Sequence, residues 1–217
     1  MIVLYEDPHL LVVNKPPDLA TQGAGDTLET RVRTYLQSRA DQTVYLGTVH
    51  RLDRPVSGVI AWAKTIKAAR RLAQQFASRS VRKEYWALVE SAPIEPRGVW
   101  RDWLREDPTN PGGSRLGVER DAHAKQAITS YERRLLSPGT GWMVLHPVTG
   151  RTHQLRVQCS ARGMPILGDA RYGSTRPFGK GIALHARRLD VRHPIVERRL
   201  DLVAELPPSW DEWNVLQ

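Results

Sequence analysis

Apolar and polar positions follow two different periods along this chain, and these periods predict its strands and helices. The opening residues 2–17 contain two short apolar runs around an Asp-Pro pair and end at Pro16 and Pro17, which predicts two strands joined by a turn. Residues 27–39 predict a helix with Thr27 as its N-cap. Residues 151–163 also predict a helix, which ends near Gly163.

The segment at residues 66–79 has the strongest helical period. Its apolar residues recur at helical spacing, which predicts an amphipathic helix with one buried face, and Arg70, Arg71 and Gln74 lie largely off that face. The predicted buried face consists of Ile66, Ala69, Leu72, Ala73 and Phe76.

Strands are predicted to outnumber helices. Residues 57–65 are apolar and rich in β-branched side chains, as is typical of a buried strand, and residues 81–90 alternate as a strand does. Residues 91–124 lack a clear period and predict an extended surface excursion with short strands. Four later segments predict further strands, at 125–136, 142–148, 182–194 and 198–206. The fold class predicted is α+β, a mixed, largely antiparallel sheet flanked by helices, in a single domain over residues 1–217.

Composition narrows the class of protein. The 217 residues are 41% hydrophobic and 25% charged, as in an ordinary globular domain, and no apolar run approaches the ~20 residues of a membrane-spanning helix. The N-terminus carries acids where a secretory signal carries basic residues. Cys159 is the only cysteine, which excludes an internal disulfide and a cysteine-built zinc site. We therefore expect a cytoplasmic protein that makes no contact with a membrane.

The charge is positive and unevenly distributed. The net charge is +9, and residues 50–84 hold nine basic against two acidic residues, whereas residues 1–30 hold one basic against five acidic residues. A concentrated positive charge indicates a polyanionic partner such as a nucleic acid. A solvated basic face is an equally good interpretation of the charge alone.

Three segments carry candidate chemistry. Asp53 stands between Arg51 and Arg54 in a turn before the predicted buried strand, and these cations favour its ionised carboxylate. A structural ion pair is the commoner role for an isolated Asp-Arg pair. Tyr85, behind a basic cluster, suggests a platform on which a base could stack, although such a tyrosine is more often part of a core. Arg156 could pair bidentately with a carboxylate or a phosphate.

The histidines do not predict a metal site. His146, His153 and His185 are the candidates, but no two histidines stand four residues apart on one helix with an acidic partner. We predict that no metal is bound.

Several segments together resemble the RluA-type pseudouridine synthases. HRLDRPVSGV at residues 50–59 is similar to the family signature, and further motifs follow in the family's order. They are LLVVNKPPDLAT, KEY, HPVTGRTHQLRV, PILGDARYG and ALHA. The chain departs from the family at Val56, where Thr is common, and after Asp18, where Gly or Ser often stands. It begins directly with the catalytic-domain strands, so we expect no N-terminal RNA-binding module.

The resemblance implies a role for five residues. Asp53 would be the catalytic carboxylate, Tyr85 would pack against the target uracil, and Arg156 would pair with the catalytic Asp. Leu155 would form part of the pocket wall, and Arg51 would occupy the space left by the flipped nucleotide.

The implied reaction converts uridine to pseudouridine in tRNA or rRNA. The base is flipped out, detached, rotated and rejoined through carbon, without redox change, so no cofactor is expected. No obligate protein partner is evident, and a monomer is expected. Two rival interpretations are a catalytically silent RNA-binding protein on the same fold and a hydrolase that uses His153 or His185. The first would not need a carboxylate in a basic cleft, and no nucleophile-plus-base motif supports the second.

Overall fold

A computed structural model describes most of the chain. Its described residues are 1–39, 45–134, 139–213 and 215. Within these ranges no helix has both the length and the apolar character that crossing a membrane requires. The last residues predicted for the strand at 125–136 lie outside the described ranges.

The described residues form strands and helices in the following order. The strands are β1 (Ile2–Glu6), β2 (Leu10–Lys15), β3 (Gly47–Thr48), β4 (Ser57–Ala63), β5 (Arg82–Val89), β6 (Arg97–Glu106), β7 (Ser114–Gly117), β8 (Lys125–Arg134), β9 (Gly141–Pro147), β10 (Leu184–Arg192) and β11 (Arg199–Val203). The helices are α1 (Leu28–Gln37), α2 (Ile66–Ala77) and α3 (Gln154–Ser160). The pairing is largely antiparallel with one parallel pair among the strand pairs described below, which confirms the predicted α+β class.

The chain divides into two compact units. The first comprises Met1–Lys83 and His185–Pro208, and the second comprises Glu84–Leu184 and Ser209–Gln217. The prediction of a single domain stays a prediction.

In the first unit, β4 is the central strand. It pairs antiparallel with β2 and with β3, and parallel with β10, and β10 also pairs antiparallel with β11. All seven residues of β4 are buried, as its apolar run predicts. Gly58 has φ +119°, and a Cβ there would lie 2.3 Å from the carbonyl oxygen of Ala186. Only glycine therefore permits β10 to pair beside the start of β4.

The helices of the first unit begin where the sequence predicts. The Thr27 hydroxyl accepts a hydrogen bond from the N–H of Thr30, and the Thr30 hydroxyl accepts one from the N–H of Thr27, which forms a capping box at α1. At α2 the Thr65 hydroxyl caps the helix by a single hydrogen bond, which it accepts from the N–H of Ala68.

The predicted buried face of α2 is partly wrong. Leu72 is buried and Phe76 is half-buried, but Ile66 is 57% exposed and Ala73 is exposed. Ala68 is fully buried instead. Ala68 and Leu72, which stand four residues apart, form the centre of the buried stripe. Ile66, in the first helical turn, lies off this stripe and therefore faces solvent.

The second unit contains an antiparallel sheet in the order β5-β9-β8-β6-β7. The residues 91–124 were expected to form only short strands, but β6 spans ten residues. Tyr85, Leu145 and Tyr131 are direct partners across three strands and therefore project from one side of the sheet. The helix α3 packs on that same side, because Gln158 bonds to Thr129 and Asp102, which share this side of their strands.

Candidate active site

Asp53 lies in a turn whose backbone is fixed from both sides. Its carbonyl oxygen accepts a hydrogen bond from the N–H of Val56 at 3.1 Å, which closes the turn before β4. The buried Thr21 hydroxyl accepts from the N–H of Leu52 at 3.2 Å and donates to the Leu52 carbonyl oxygen at 2.7 Å. The Asp53 side chain is half-buried. The local structure therefore presents one carboxylate in a constrained conformation.

Lys15, at the end of β2, supports the same turn from within the core. Its side chain is fully buried, and Nζ donates to the carbonyl oxygens of Pro16, Leu19 and Arg54 at 2.9, 2.7 and 3.0 Å. Burial lowers the pKa of Lys15 to about 7, while the carboxylates of Asp18 and Asp53 oppose this shift. Three carbonyl acceptors match the three protons of an ammonium group, so the geometry favours the charged form at neutral pH.

No role for Lys15 was predicted from the sequence. The available signal was a lysine at the end of an apolar run and directly before two prolines. A charge that is buried with such a run needs hydrogen-bonding partners.

The two arginines that flank Asp53 are exposed. Arg54 Nε donates to the carbonyl oxygen of Asp18 at 3.3 Å, whereas the Arg51 side chain extends from the surface of the first unit. An exposed guanidinium beside the candidate carboxylate can contact a phosphate or a displaced nucleotide.

Two histidines of the first unit are part of its framework. His185 accepts at Nδ1 from the Ser57 hydroxyl at 2.8 Å, and its Nε2 donates to the carbonyl oxygen of Ala204 at 3.1 Å, because that carbonyl can only accept. Burial lowers the pKa of His185 to about 4. His50 accepts at Nε2 from the N–H of Ala61 and stacks on Phe76, and burial lowers its pKa to about 3. Both rings are therefore neutral at pH 7 and hold β4 in place.

The low pKa of His185 predicts a loss of stability in mild acid. Unfolded chains bind this proton near pH 6.5 and the folded protein only near pH 4, so the free energy of unfolding should fall as the pH falls through this window. The loss should total about 3 kcal/mol from this group. Denaturant titrations between pH 7 and pH 4 measure it.

The variant His185→Gln can still bond to Ser57 and Ala204 but does not titrate, so it should lose about 3 kcal/mol less than the parent over the same range. The control is His123→Gln, which alters an exposed histidine. Identical pH profiles of the parent and of His185→Gln would show that this histidine does not govern the acid sensitivity.

In the second unit, the three predicted site residues lie on β5 and α3. Tyr85 is half-buried and stands opposite Leu145 of β9. Leu155 is 6% exposed and Arg156 is 4% exposed. The helix begins after His153, whose φ of 52° is left-handed and ends the preceding turn, so α3 starts three residues later than predicted.

Arg156 is held in position by a buried carboxylate. Its Nε and Nη2 donate to the two Asp169 oxygens at 2.7 and 2.8 Å, and both side chains are almost completely buried. The guanidinium also lies 4.9 Å from the ring centre of Tyr172. This two-pronged contact with Asp169 fixes the orientation of the guanidinium. Asp169 was not assigned from sequence, although PILGDARYG, which contains it, was part of the resemblance.

The polar residues of α3 serve mainly to anchor the helix. The side-chain oxygen Oε1 of Gln154 accepts hydrogen bonds from the Thr149 hydroxyl and from the N–H of Arg151. Its side-chain Nε2 donates to the Thr129 hydroxyl. Gln158 accepts from the Thr129 hydroxyl at 2.6 Å. A row of buried amides thus fixes α3 to β8, and this places Leu155 and Arg156.

The predicted site residues divide between the two units. Asp53 and Arg51 belong to the first unit, and Tyr85, Leu155 and Arg156 belong to the second. The pairing of Arg156 with Asp53, implied by the resemblance, stays a prediction.

Comparisons with known proteins all lead to one family. A family model described as RNA pseudouridylate synthase matches residues 9–161. The chain is 38% identical over 203 residues to the dual-specificity RNA pseudouridine synthase RluA of Escherichia coli O6:H1, covering 89% of this chain and 88% of that protein. It is 33% identical to the ribosomal large subunit pseudouridine synthase C of Rickettsia prowazekii, covering 94% of this chain and 68% of that protein.

A solved structure is also similar over nearly the whole chain. It is the structure of a human protein titled "RNA Pseudouridylate Synthase Domain Containing 4", with a TM-score of 0.80 and 27% sequence identity. The superposition covers 96% of this chain and 91% of that chain.

Proposed function

The chain belongs to the RNA pseudouridylate synthase family, whose members are isomerases that convert uridine in RNA to pseudouridine, and we propose that Asp53 is its catalytic carboxylate. The observation that carries the proposal is the turn of Asp53. A half-buried carboxylate is presented between two exposed arginines, on a backbone held by the buried side chains of Thr21 and Lys15. Such preorganisation serves chemistry, because it fixes the reacting group before the substrate binds.

The reaction breaks the bond between N1 of uracil and C1′ of ribose and forms a bond from C5 to C1′. The C5 proton leaves, N1 gains a proton, and no electrons are exchanged with an external acceptor. Loss of the base develops positive charge on the sugar, which an ionised carboxylate stabilises or traps. Asp53 serves as the anion whether it attacks the sugar, attacks the base or removes a ribose proton.

The other predicted residues would retain and orient the detached base. We assign Tyr85 to stacking on the uracil and Leu155 to the apolar wall that excludes water. Arg156, oriented by Asp169, would stabilise the catalytic carboxylate, and Arg51 would support the flipped state of the RNA. The buried environment of Leu155 and the exposure of Arg51 support these roles.

The substrate is proposed from the relatives. One is named as a dual-specificity enzyme and another as acting on the large ribosomal subunit, so we propose tRNA or rRNA as the substrate. We propose further that the protein acts as a cytoplasmic monomer, without a cofactor.

The test is a conversion assay with purified protein dialysed against a strong chelator. RNA carrying tritium at C5 of uracil should release tritium to water with nothing else added, because C5 loses its proton when the new bond forms. The release should match that of undialysed protein. The RNA is folded beforehand in zinc or magnesium, so that the metal is not needed to refold it. Tritium release that disappears on dialysis of the protein and returns when that metal is added would contradict the cofactor-free proposal.

A further inference from the structure

The sheet of the second unit has a basic face on the side away from Tyr85. Along β6 the residues on this side alternate between cationic and apolar types, and the paired positions of β7 and β8 add further arginines. We call this side the arginine face. Its arginines are Arg97, Arg101, Arg105, Arg115 and Arg134, and its apolar residues include Val99, Trp103 and Ile128.

The charge of the arginine face is only partly neutralised. Arg105 pairs with Asp121, and Arg134 pairs with Glu132. Arg97 and Arg101 are exposed, and among the described residues neither has an acidic partner within ion-pair distance. Exposed cations without a protein partner are the groups that displace counterions from nucleic acid phosphates.

A shallow pocket, largely open to solvent, lies on this face beside Arg97. Its volume is about 270 Å³. Its lining includes Arg97, Val99, Ser130, Glu132 and His146. Val99, Ser130 and His146 form one row across three paired strands, so an apolar wall stands next to hydrogen-bonding groups. A shallow pocket of this lining can contact one face of a base, next to a phosphate bound by Arg97.

We propose that the arginine face is a second RNA-binding surface, which holds a single-stranded segment of the substrate RNA with one of its bases against the shallow pocket. This rests on the proposed function, because the strand it binds belongs to the RNA that is modified. Arg97 and Arg101 contact phosphates, and the half-buried ring of Trp103, two positions further along β6, provides a surface for stacking a second base.

The alternation of charge distinguishes this occupant from a protein. Arginine is also enriched at protein interfaces, so its regular spacing, and not its presence, indicates the occupant: every second residue along this side of β6 is an arginine. Phosphates spaced along a strand, with bases between them, match cations that alternate with apolar side chains.

The test uses the double variant Arg97→Gln and Arg101→Gln with a 12-nucleotide oligouridylate as the probe. Fluorescence anisotropy at several salt concentrations should give weaker binding than for the parent. Each lost phosphate contact reduces the log–log salt slope by about 0.7, so the slope should fall by about 1.4.

The matched control is the double variant Arg188→Gln and Arg199→Gln. These arginines are also exposed, lie in the first unit and each pair with an aspartate. Replacing two arginines by glutamine makes the same change in net charge as in the test variant. The control should keep the parental slope. An unchanged slope in the Arg97 and Arg101 variant, or an equal change in the control, would overturn the proposal. Failure of the proposed function is seen separately, as absent tritium release by the parent protein.

Discussion

Replacement of Asp53 by Asn should lower turnover by at least about a thousandfold while RNA affinity survives. The amide keeps the shape of the side chain and its place on the turn but carries no charge. Each of the possible roles of Asp53 requires the anion, so the loss should appear in the chemical step and not in binding. Tritium release under single-turnover conditions measures the chemistry, and a filter-binding titration with the same RNA measures the affinity.

The control for this variant is Asp26→Asn. Asp26 is an exposed carboxylate in an ion pair with Arg31, so its replacement makes the same change in net charge away from the turn. It should convert RNA as the parent does. Turnover of the Asp53→Asn variant within tenfold of the parental value would exclude the proposed role of Asp53.

Replacement of Asp169 by Asn should destabilise the protein by about 3–5 kcal/mol, because it leaves the buried Arg156 without the carboxylate that balances its charge. The lost carboxylate also no longer fixes the guanidinium, so turnover should fall in the fraction that remains folded. Denaturant unfolding gives the free energy, and tritium release at a temperature well below the midpoint gives the activity.

Two comparisons separate the stability of this pair from its role in the site. Asp201→Asn breaks the exposed pair with Arg188 and should cost no more than about 1 kcal/mol. The double variant Arg156→Met and Asp169→Leu removes both buried charges, so it should recover most of the stability and remain inactive. Recovery of activity along with stability would mean that the arginine serves only the fold.

Elements with a consistent local signal could be predicted from the sequence. Thr27, predicted as the N-cap, marks the start of α1, because a hydroxyl cap acts within four residues. The strand β6 was missed because Asp102 stands between Trp100 and Leu104 on its inward side and interrupts the apolar alternation. Gln158 and Arg162, which bond to this carboxylate, come from a segment more than fifty residues away. No local pattern could reveal that partnership.

The site shows the same limit. Short motifs point to Asp53, Tyr85 and Arg156, because each stands in a segment with a family resemblance. The supporting residues Lys15 and Asp169 became apparent only when their burial and partners were known. Their signals are weak in sequence because a buried charge is identified by its environment and not by its neighbours in the chain.

The parallel pairing of β4 with β10 affects the order in which the protein can mature on the ribosome. Ser57 bonds to His185, 128 positions further along the chain, so the strand that follows the Asp53 turn lacks one neighbour while these residues are made. At about 5–20 residues per second, synthesis of this stretch takes on the order of ten seconds. The greater part of the second unit, residues 84–184, is contiguous and emerges in full before β10 does. Nascent chains should therefore expose an apolar strand edge at β4 for several seconds, and chaperones that shield such edges should bind there until residues 185–192 emerge.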